Sequence, residues 1–211
     1  MRVVVIGAGG HGKVVADAAL AAGLSVLGFV DDRVCGEILG LPVASCVAGL
    51  EALSANTSGT SELGFIVAIG DNDTRKRLFE TYSAQGLCPQ SIIHPAAAVS
   101  CSARIGAGTY IGAEAVVNPQ AQVGVDVIIN TRASVEHDCI VGDHAFVAPH
   151  ALMCGGSHVG EGALLGASAT VGVGLSVGDW SRVGEGAVVK RDLPARIIAV
   201  GVPAHVVNPS I

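Results

Sequence analysis

The sequence predicts a small α/β domain followed by a parallel β-helix. Three observations predict it. From Val99 to Val189 a Val, Ile, Leu or Met stands at every sixth residue, sixteen times without a slip. The next position is often Gly, as at Gly106, Gly124, Gly142 and Gly160, and the position four after is usually Ala, as at Ala115, Ala133, Ala151 and Ala169. Ahead of His94-Pro95 the pattern differs: apolar runs alternate with a glycine loop and amphipathic stretches. A six-residue period fits neither a helix face at 3.6 residues nor a simple alternating strand. It is the repeat of a coil of short strands and tight turns.

The N-terminal elements follow in order. Residues 2–6 (RVVVI) read as a buried strand, and GAGGHG leads into a helix from about His11 to Ala22. Ser25 to Val30 reads as a second strand, closed by Asp31-Asp32. Phe65 to Ile69 reads as a third. Asp71 or Asn72 is placed to cap a helix across TRKRLFETYSAQG. Ser91 to Ile93 reads as a last short strand, and residues 34–62 read as irregular. Strand and helix in alternation predict a small parallel sheet. The predicted division is 1–93 and 94–211.

In the second domain three hexads close one triangular coil of 18 residues, so the sixteen hexads make about five coils. At a strand spacing of roughly 4.8 Å the prism is about 25 Å long. Both ends need covers. The N-terminal domain is expected to cover one, and the segment after Val189, with Pro194 and Pro203, the other. Val116, Val125, Ile128, Phe146, Leu152 and Leu164 point outward and are expected to stay partly wet in a monomer, which predicts a symmetric oligomer.

Composition narrows the function. Apolar residues are 50% of the chain but aromatics only 3%, which suits stacked Val, Ile and Ala rather than an aromatic core. A net charge of −6 without basic clusters argues against nucleic acid. No apolar run is long enough to span a membrane, and the N-terminus reads as a strand rather than a signal peptide. The six cysteines are scattered, with no CxxC spacing, and suit a reducing, cytoplasmic setting.

Gly7-Ala8-Gly9-Gly10-His11-Gly12 follows a strand and opens a helix, where free amides and the helix dipole attract anions. The run also fits G-x-G-x-x-G, with Asp31 at the end of the next strand, as in a dinucleotide fold. Residues 1–93 hold too little sheet for a two-half dinucleotide domain. A tight turn with no ligand is the plain alternative. In Val135-Glu136-His137-Asp138-Cys139 the register turns His137 outward and Cys139 inward. On residues alone His137 is either a solvated histidine or a functional one. A zinc site of the γ-carbonic-anhydrase type needs three histidines from two subunits. His144 and His150 fall in the same slot on different faces and His158 is out of register, a poor metal pattern.

IGAGGHGKVVADAA, NTRASVEHDCIVGD and VGVPAHVV, in that order around the hexads, resemble the hexapeptide-repeat sugar O- and N-acetyltransferases. That family includes sialic acid O-acetyltransferases and nucleotide-linked 4-amino-sugar N-acetyltransferases. The resemblance implies a Rossmann-like first domain, a left-handed β-helix, a homotrimer and acetyl-CoA as co-substrate, with no metal. It implies that Gly9, Gly10 and His11 touch the nucleotide and that Asp31, Asp32 and Gly70 complete its pocket. It implies that His137 is the general base, oriented by Asp138 through a local twist, with Glu136 as the fallback partner. Imidazole as a group titrates near neutrality, which suits that task. Asn130 matches a residue near the acceptor amine. Acetyl-CoA is expected along the groove between neighbouring prisms, at Gly155, Ala167 and Glu185, with Phe146 where some relatives carry a His. His205 follows GVPA where Lys or Arg is common, so Lys190 and Arg191 are left to meet the CoA phosphates. The expected reaction is N-acetylation of an NDP-linked amino sugar of the 4-amino-4-deoxy type, for surface polysaccharides. The alternatives are O-acetylation of a sialic acid or related sugar, and a non-enzymatic nucleotide-binding subunit.

Overall fold

The computed structural model describes residues 2–49 and 63–208. Part of the segment read as irregular, residues 50–62, lies outside the described residues. The chain divides into two compact units, Met1–Pro95 and Ala96–Ile211, two residues beyond the expected division.

The first unit is built on β1 (Arg2–Ile6), α1 (Gly10–Ala21), β2 (Ser25–Val30), β3 (Gly36–Ile38), β4 (Leu41–Ala44), β5 (Leu63–Val67), α2 (Asn72–Ala84) and β6 (Cys88–Pro89). The sheet is six-stranded and mixed, in the order β3-β4-β2-β1-β5-β6, larger than the small parallel sheet expected. A β3–β4 hairpin accounts for much of the difference. Its two-residue loop, Leu39-Gly40, has φ +55° and +70°, the conformation of a type I′ turn. Leu in place of Asn or Asp at the first turn position hides that turn in the sequence. β5 lies two residues earlier than expected, because Val67 pairs with the last residue of β1 and the chain then turns toward α2. Asp71 caps α2 through the Thr74 amide at 3.0 Å. Val3, Val4, Val5, Phe29 and Phe65 have no exposed surface. β7 (Ile92–Ile93) closes this unit.

The second unit is a left-handed parallel β-helix. Its sixteen two-residue strands run from β8 (Ala98–Val99) to β23 (Val188–Val189), and each ends on a hexad residue. Pairing joins residues 18 apart, such as Tyr110 with Ile128 and Ser134 with Leu152, so three hexads make one coil. Hexad residues from Ile111 to Val189 and small residues such as Ala133 and Cys139 stack along the axis in one core. Buried hydroxyls in the small slot are bonded: Thr109 donates to the Gly124 carbonyl and Ser181 to that of Pro194.

The prism has three faces of different character. Face I presents Val116, Ser134, Leu152, Thr170 and Val188. Face II presents Arg104, Gln122, Ile140, His158 and Ser176, a largely polar set. Face III presents Tyr110, Ile128, Phe146, Leu164 and Arg182. Two expectations change here. Ile128 is 1% exposed rather than partly wet, with Tyr110 and Phe146 beside it in register. Val125 lies in a turn at an edge, next to Asp126 at φ +52°, and not on a face.

The tail was expected to break the repeat and only cover the end. Instead it continues the coil with two residues fewer. Arg182 pairs with Ile198 and Val177 bridges Leu193, each 16 residues on rather than 18. Leu193 and Ala199 therefore extend the axial stack. β24 (Ile198–Val200) then turns back into antiparallel β25 (His205–Asn208). Among the described residues no helix is long and apolar enough to cross a membrane.

Candidate active site

In the β-helix, each turn between strands from Gly108 to Gly186 places a residue of positive φ at its second position. His137-Asp138 is such a turn, with Asp138 at φ +60°. Neither residue is in a strand. The left-handed conformation at Asp138 is the local twist that brings its carboxylate to the ring: His137 Nδ1 and Asp138 Oδ2 are 2.8 Å apart. Both side chains are about two-thirds exposed, at 66% and 64%. Such a pair adds little stability, so its consequence is orientation. Glu136 does not reach the ring. Its carboxylate accepts from Asn118 Nδ2 at 2.7 Å and Ser134 Oγ at 3.0 Å.

One coil further on, the same edge carries Gly155-Gly156, whose Gly156 amide donates to the His137 carbonyl at 2.9 Å. A Cβ placed on Gly155 would lie 2.6 Å from His137 Nε2 and 2.7 Å from Cε1. The imidazole therefore rests against the Gly155 backbone, which only a residue without a side chain permits. The Gly155 N–H has no acceptor among the described residues. With Nδ1 occupied by Asp138, Nε2 is the nitrogen available to an incoming group. Cys139 is fully buried as expected, its Sγ 3.2 Å from the Cys154 carbonyl.

Other residues expected at this site lie elsewhere on the prism. Asn130, Ala167 and Glu185 belong to the edge between faces III and I, while His137 and Gly155 belong to the edge between I and II. Asn130 Oδ1 accepts from the Thr131 amide at 2.8 Å, and Phe146 is half-buried on face III. A single chain does not bring these two sets together. His144 is spoken for: its Nδ1 is 2.8 Å from Asp126 Oδ2 in a buried pair. Among the described residues no group of three or more His, Cys, Asp or Glu is placed to hold a metal.

In the α/β unit, Gly7 at φ +106° turns the chain out of β1, and a Cβ on Gly12 would lie 2.1 Å from the Gly7 carbonyl oxygen. Gly12 thus allows α1 to start against the strand end. Gly9 and Gly10 are exposed at the helix N-terminus, and Gly70 is exposed after β5. Asp31 ties the loop to β2: Oδ2 accepts from the Ala8 amide at 2.8 Å and Oδ1 from those of Arg33 and Val34. Partial burial pushes its carboxyl up, but those three N–H groups, with the Arg33 charge, outweigh burial and hold it below the ordinary value. Asp31 is therefore a clamp on the backbone, while Asp32 stays exposed, 3.8 Å from Arg33 Nε. Burial, with the Arg75 charge adding to it, lowers His11 to about 4, so the ring is neutral at neutral pH.

A cavity of about 540 Å³ opens at the carboxyl ends of β1 and β2, lined by Gly7, Asp31, Asp32, Arg33, Ser45, Thr74, Arg77, Leu78 and Tyr82, among others. This is where ligands bind in open α/β sheets. Thr74, Arg77, Leu78 and Tyr82 were not foreseen. Their signal was present: in a helix capped at Asp71 the last three fall three, four and eight residues after Thr74, on one stripe.

Residues 2–82 match the family described as PglD N-terminal domain. Comparison with curated protein sequences returns no match. Among solved structures, the acetyltransferase domain of PglB from Neisseria gonorrhoeae is 36% identical with a TM-score of 0.89, covering 98% of this chain and 99% of that one. Perosamine N-acetyltransferase from Caulobacter crescentus is 40% identical with a TM-score of 0.90, covering 98% and 96%. WeeI from Acinetobacter baumannii is 26% identical with a TM-score of 0.85, covering 98% and 100%. An α/β unit with a glycine loop, a hexad coil and full-length likeness at these identities define a sugar acetyltransferase. The chain belongs to the hexapeptide-repeat family of these enzymes, in the group that includes sugar N-acetyltransferases.

Proposed function

We propose that this protein transfers an acetyl group from acetyl-CoA to the amine of a nucleotide-linked 4-amino-4-deoxy sugar. The single observation that carries the reading is the His137–Asp138–Gly155 arrangement: an oriented imidazole beside a backbone N–H that has no acceptor among the described residues. The Neisseria domain has been solved with acetyl coenzyme A and the Caulobacter enzyme with CoA and GDP-perosamine, which supports both substrate classes here.

The chemistry follows from those groups. The sugar amine attacks the thioester carbonyl while His137 Nε2 accepts the amine proton. Asp138 holds Nδ1 protonated and stabilises the imidazolium. The Gly155 N–H donates to the oxyanion. The C–S bond then breaks, the thiolate takes the proton from His137, and the products are the N-acetyl sugar and CoA-SH. No covalent acyl-enzyme is needed. In the α/β unit the glycine loop and the cavity beside it receive the nucleotide.

The acyl donor lies between chains in this reading. His137 and Gly155 lie on one edge of the prism, and Asn130, Ala167 and Glu185 on another. Face I joins those edges and is mostly apolar on its outer side. Three chains with face I toward a common axis would set the His137 edge of each against the Ala167 edge of the next, which gives a homotrimer. Six free cysteines suit a reducing cytoplasm.

The test is an acetyl-transfer assay with NDP-4-amino sugars, free amino sugars and free sialic acid. Turnover on an NDP-amino sugar, lowered by roughly 10²–10⁴ in His137→Ala, is the expected result. Turnover on free sialic acid alone, or a His137→Ala variant with near-full kcat/KM, overturns the reading.

A further inference from the structure

We propose that Arg77 is a ligand-binding residue that meets the phosphate groups of a nucleoside diphosphate in the cavity of the α/β unit. The inference rests on the nucleotide-sugar reading and identifies the cation that reading requires.

The protein carries a net charge of −6, so its overall field does not draw in an anion. A pyrophosphate diester brings two negative charges, and a local cation must offset them. Three of the nearby cationic side chains are committed or uncharged. Arg75 is fully buried, and its Nη1 donates to Asn72 Oδ1 at 2.7 Å and to the Ile69 carbonyl at 3.2 Å. His11 is neutral at neutral pH, so it brings hydrogen bonding without charge. Arg33 also lines the cavity, but the neighbouring Asp32 carboxylate, 3.8 Å from its Nε, offsets its charge.

Arg77 differs from all three. It lines the cavity with Gly7, which opens the glycine loop. It has no ion pair and no side-chain hydrogen bond among the described residues. It also stands in the stripe of α2 that faces the cavity, between Thr74 and Leu78, where a helix normally presents apolar residues to its unit. A guanidinium suits phosphate because its N–H groups pair with two oxygens at once. The exposed amides of Gly9 and Gly10 at the start of α1 add donors without charge.

The test is calorimetric titration of the full chain with GDP, UDP and dTDP and with the three matching nucleosides. It is run on wild type, Arg77→Gln and Arg77→Lys. Arg77 is exposed, so both variants are expected to melt with the wild type. The proposal expects Arg77→Gln to weaken the best diphosphate by about tenfold or more and to reduce its salt dependence. Nucleoside affinity should stay within about twofold, and Arg77→Lys should recover part of the loss, since it keeps charge without the fork. Unchanged diphosphate affinity in Arg77→Gln overturns the proposal. An equal loss for nucleoside and diphosphate also overturns it, because it means Arg77 stacks on the base. If wild type binds none of the diphosphates, the nucleotide-sugar reading fails first and the proposal falls with it.

Discussion

The role proposed for His137 rests on two neighbours that act in different ways. Asp138 reaches Nδ1 because its own backbone adopts φ +60° in the turn. Gly155 acts by what it lacks, since a Cβ there would fall 2.6 Å from Nε2. Gly155 is outside the positive-φ region, so its backbone accepts alanine and the variant should fold. Gly155→Ala is expected to displace the ring and lower kcat/KM by about 10²-fold with little change in melting temperature. A variant with full kcat/KM would show that the ring has another productive seat. His11 makes a separate prediction. Its folded value of about 4 lies below the unfolded 6.5, so between those pH values the unfolded state binds the extra proton. Stability from this group is complete above about pH 6.5 and is lost on the way down to about pH 4, by an amount on the order of 3 kcal/mol. Denaturant midpoints taken from pH 7.5 to pH 4 should fall more steeply in wild type than in His11→Gln. Asp31 contributes in a lower window, because its lowered carboxyl loses its stabilising effect only as pH falls below the ordinary carboxylate range.

At the scale of elements, the coil repeats one solution to burial. Each hexad residue stacks on those 18 before and after it, and a strand of two residues suffices because the next coil completes its hydrogen bonds. Leu165 is fully buried between Val147 and Val183 in this stack. Leu165→Ala is expected to cost about 2–5 kcal/mol, read as a lower melting temperature, because neighbouring coils cannot collapse into the space. A cost under about 1 kcal/mol would mean that the stack yields there. The tail shows that the coil tolerates a change of period. Two residues are missing from its last turn, yet Leu193 and Ala199 still occupy axial positions. Hexad counting stops at Val189 because the sequence period is lost there, while the physical stack continues.

At the scale of the whole molecule, the prism separates what the proposed reaction must unite. The two sets of expected site residues sit on different edges, so a composite site follows from the proposed trimer. The prediction is complementation. His137→Ala and Ala167→Trp, which blocks the other edge, should each be inactive alone. Co-expressed in equal amounts, they should form mixed trimers with one intact site in three, about a quarter of all sites in the population, and activity should return to that extent. No recovery in verified mixed assemblies would place the whole site on one chain. The particle should also have three times the chain mass of 21.0 kDa.

Much of this architecture is legible in the sequence because hexads are a local code. One residue in six must be apolar and another small, so the coil, the inward Cys139 and the outward His137 can be read by counting. The glycine loop and the cap at Asp71 are legible for the same reason, since backbone geometry demands particular residue types there. The hairpin around Leu39-Gly40 was not legible, because its turn residue is atypical. Nor was the Arg77 stripe singled out, because its meaning depends on the strand ends across the cavity. The repeat, its register and the side-chain chemistry offered at His137 are written in the order of residues alone. It takes the folded chain to set Gly155 against the imidazole, to occupy Asp31 with backbone amides, and to carry the coil past its own period. Those are contacts between residues distant in the chain, and no local pattern specifies them.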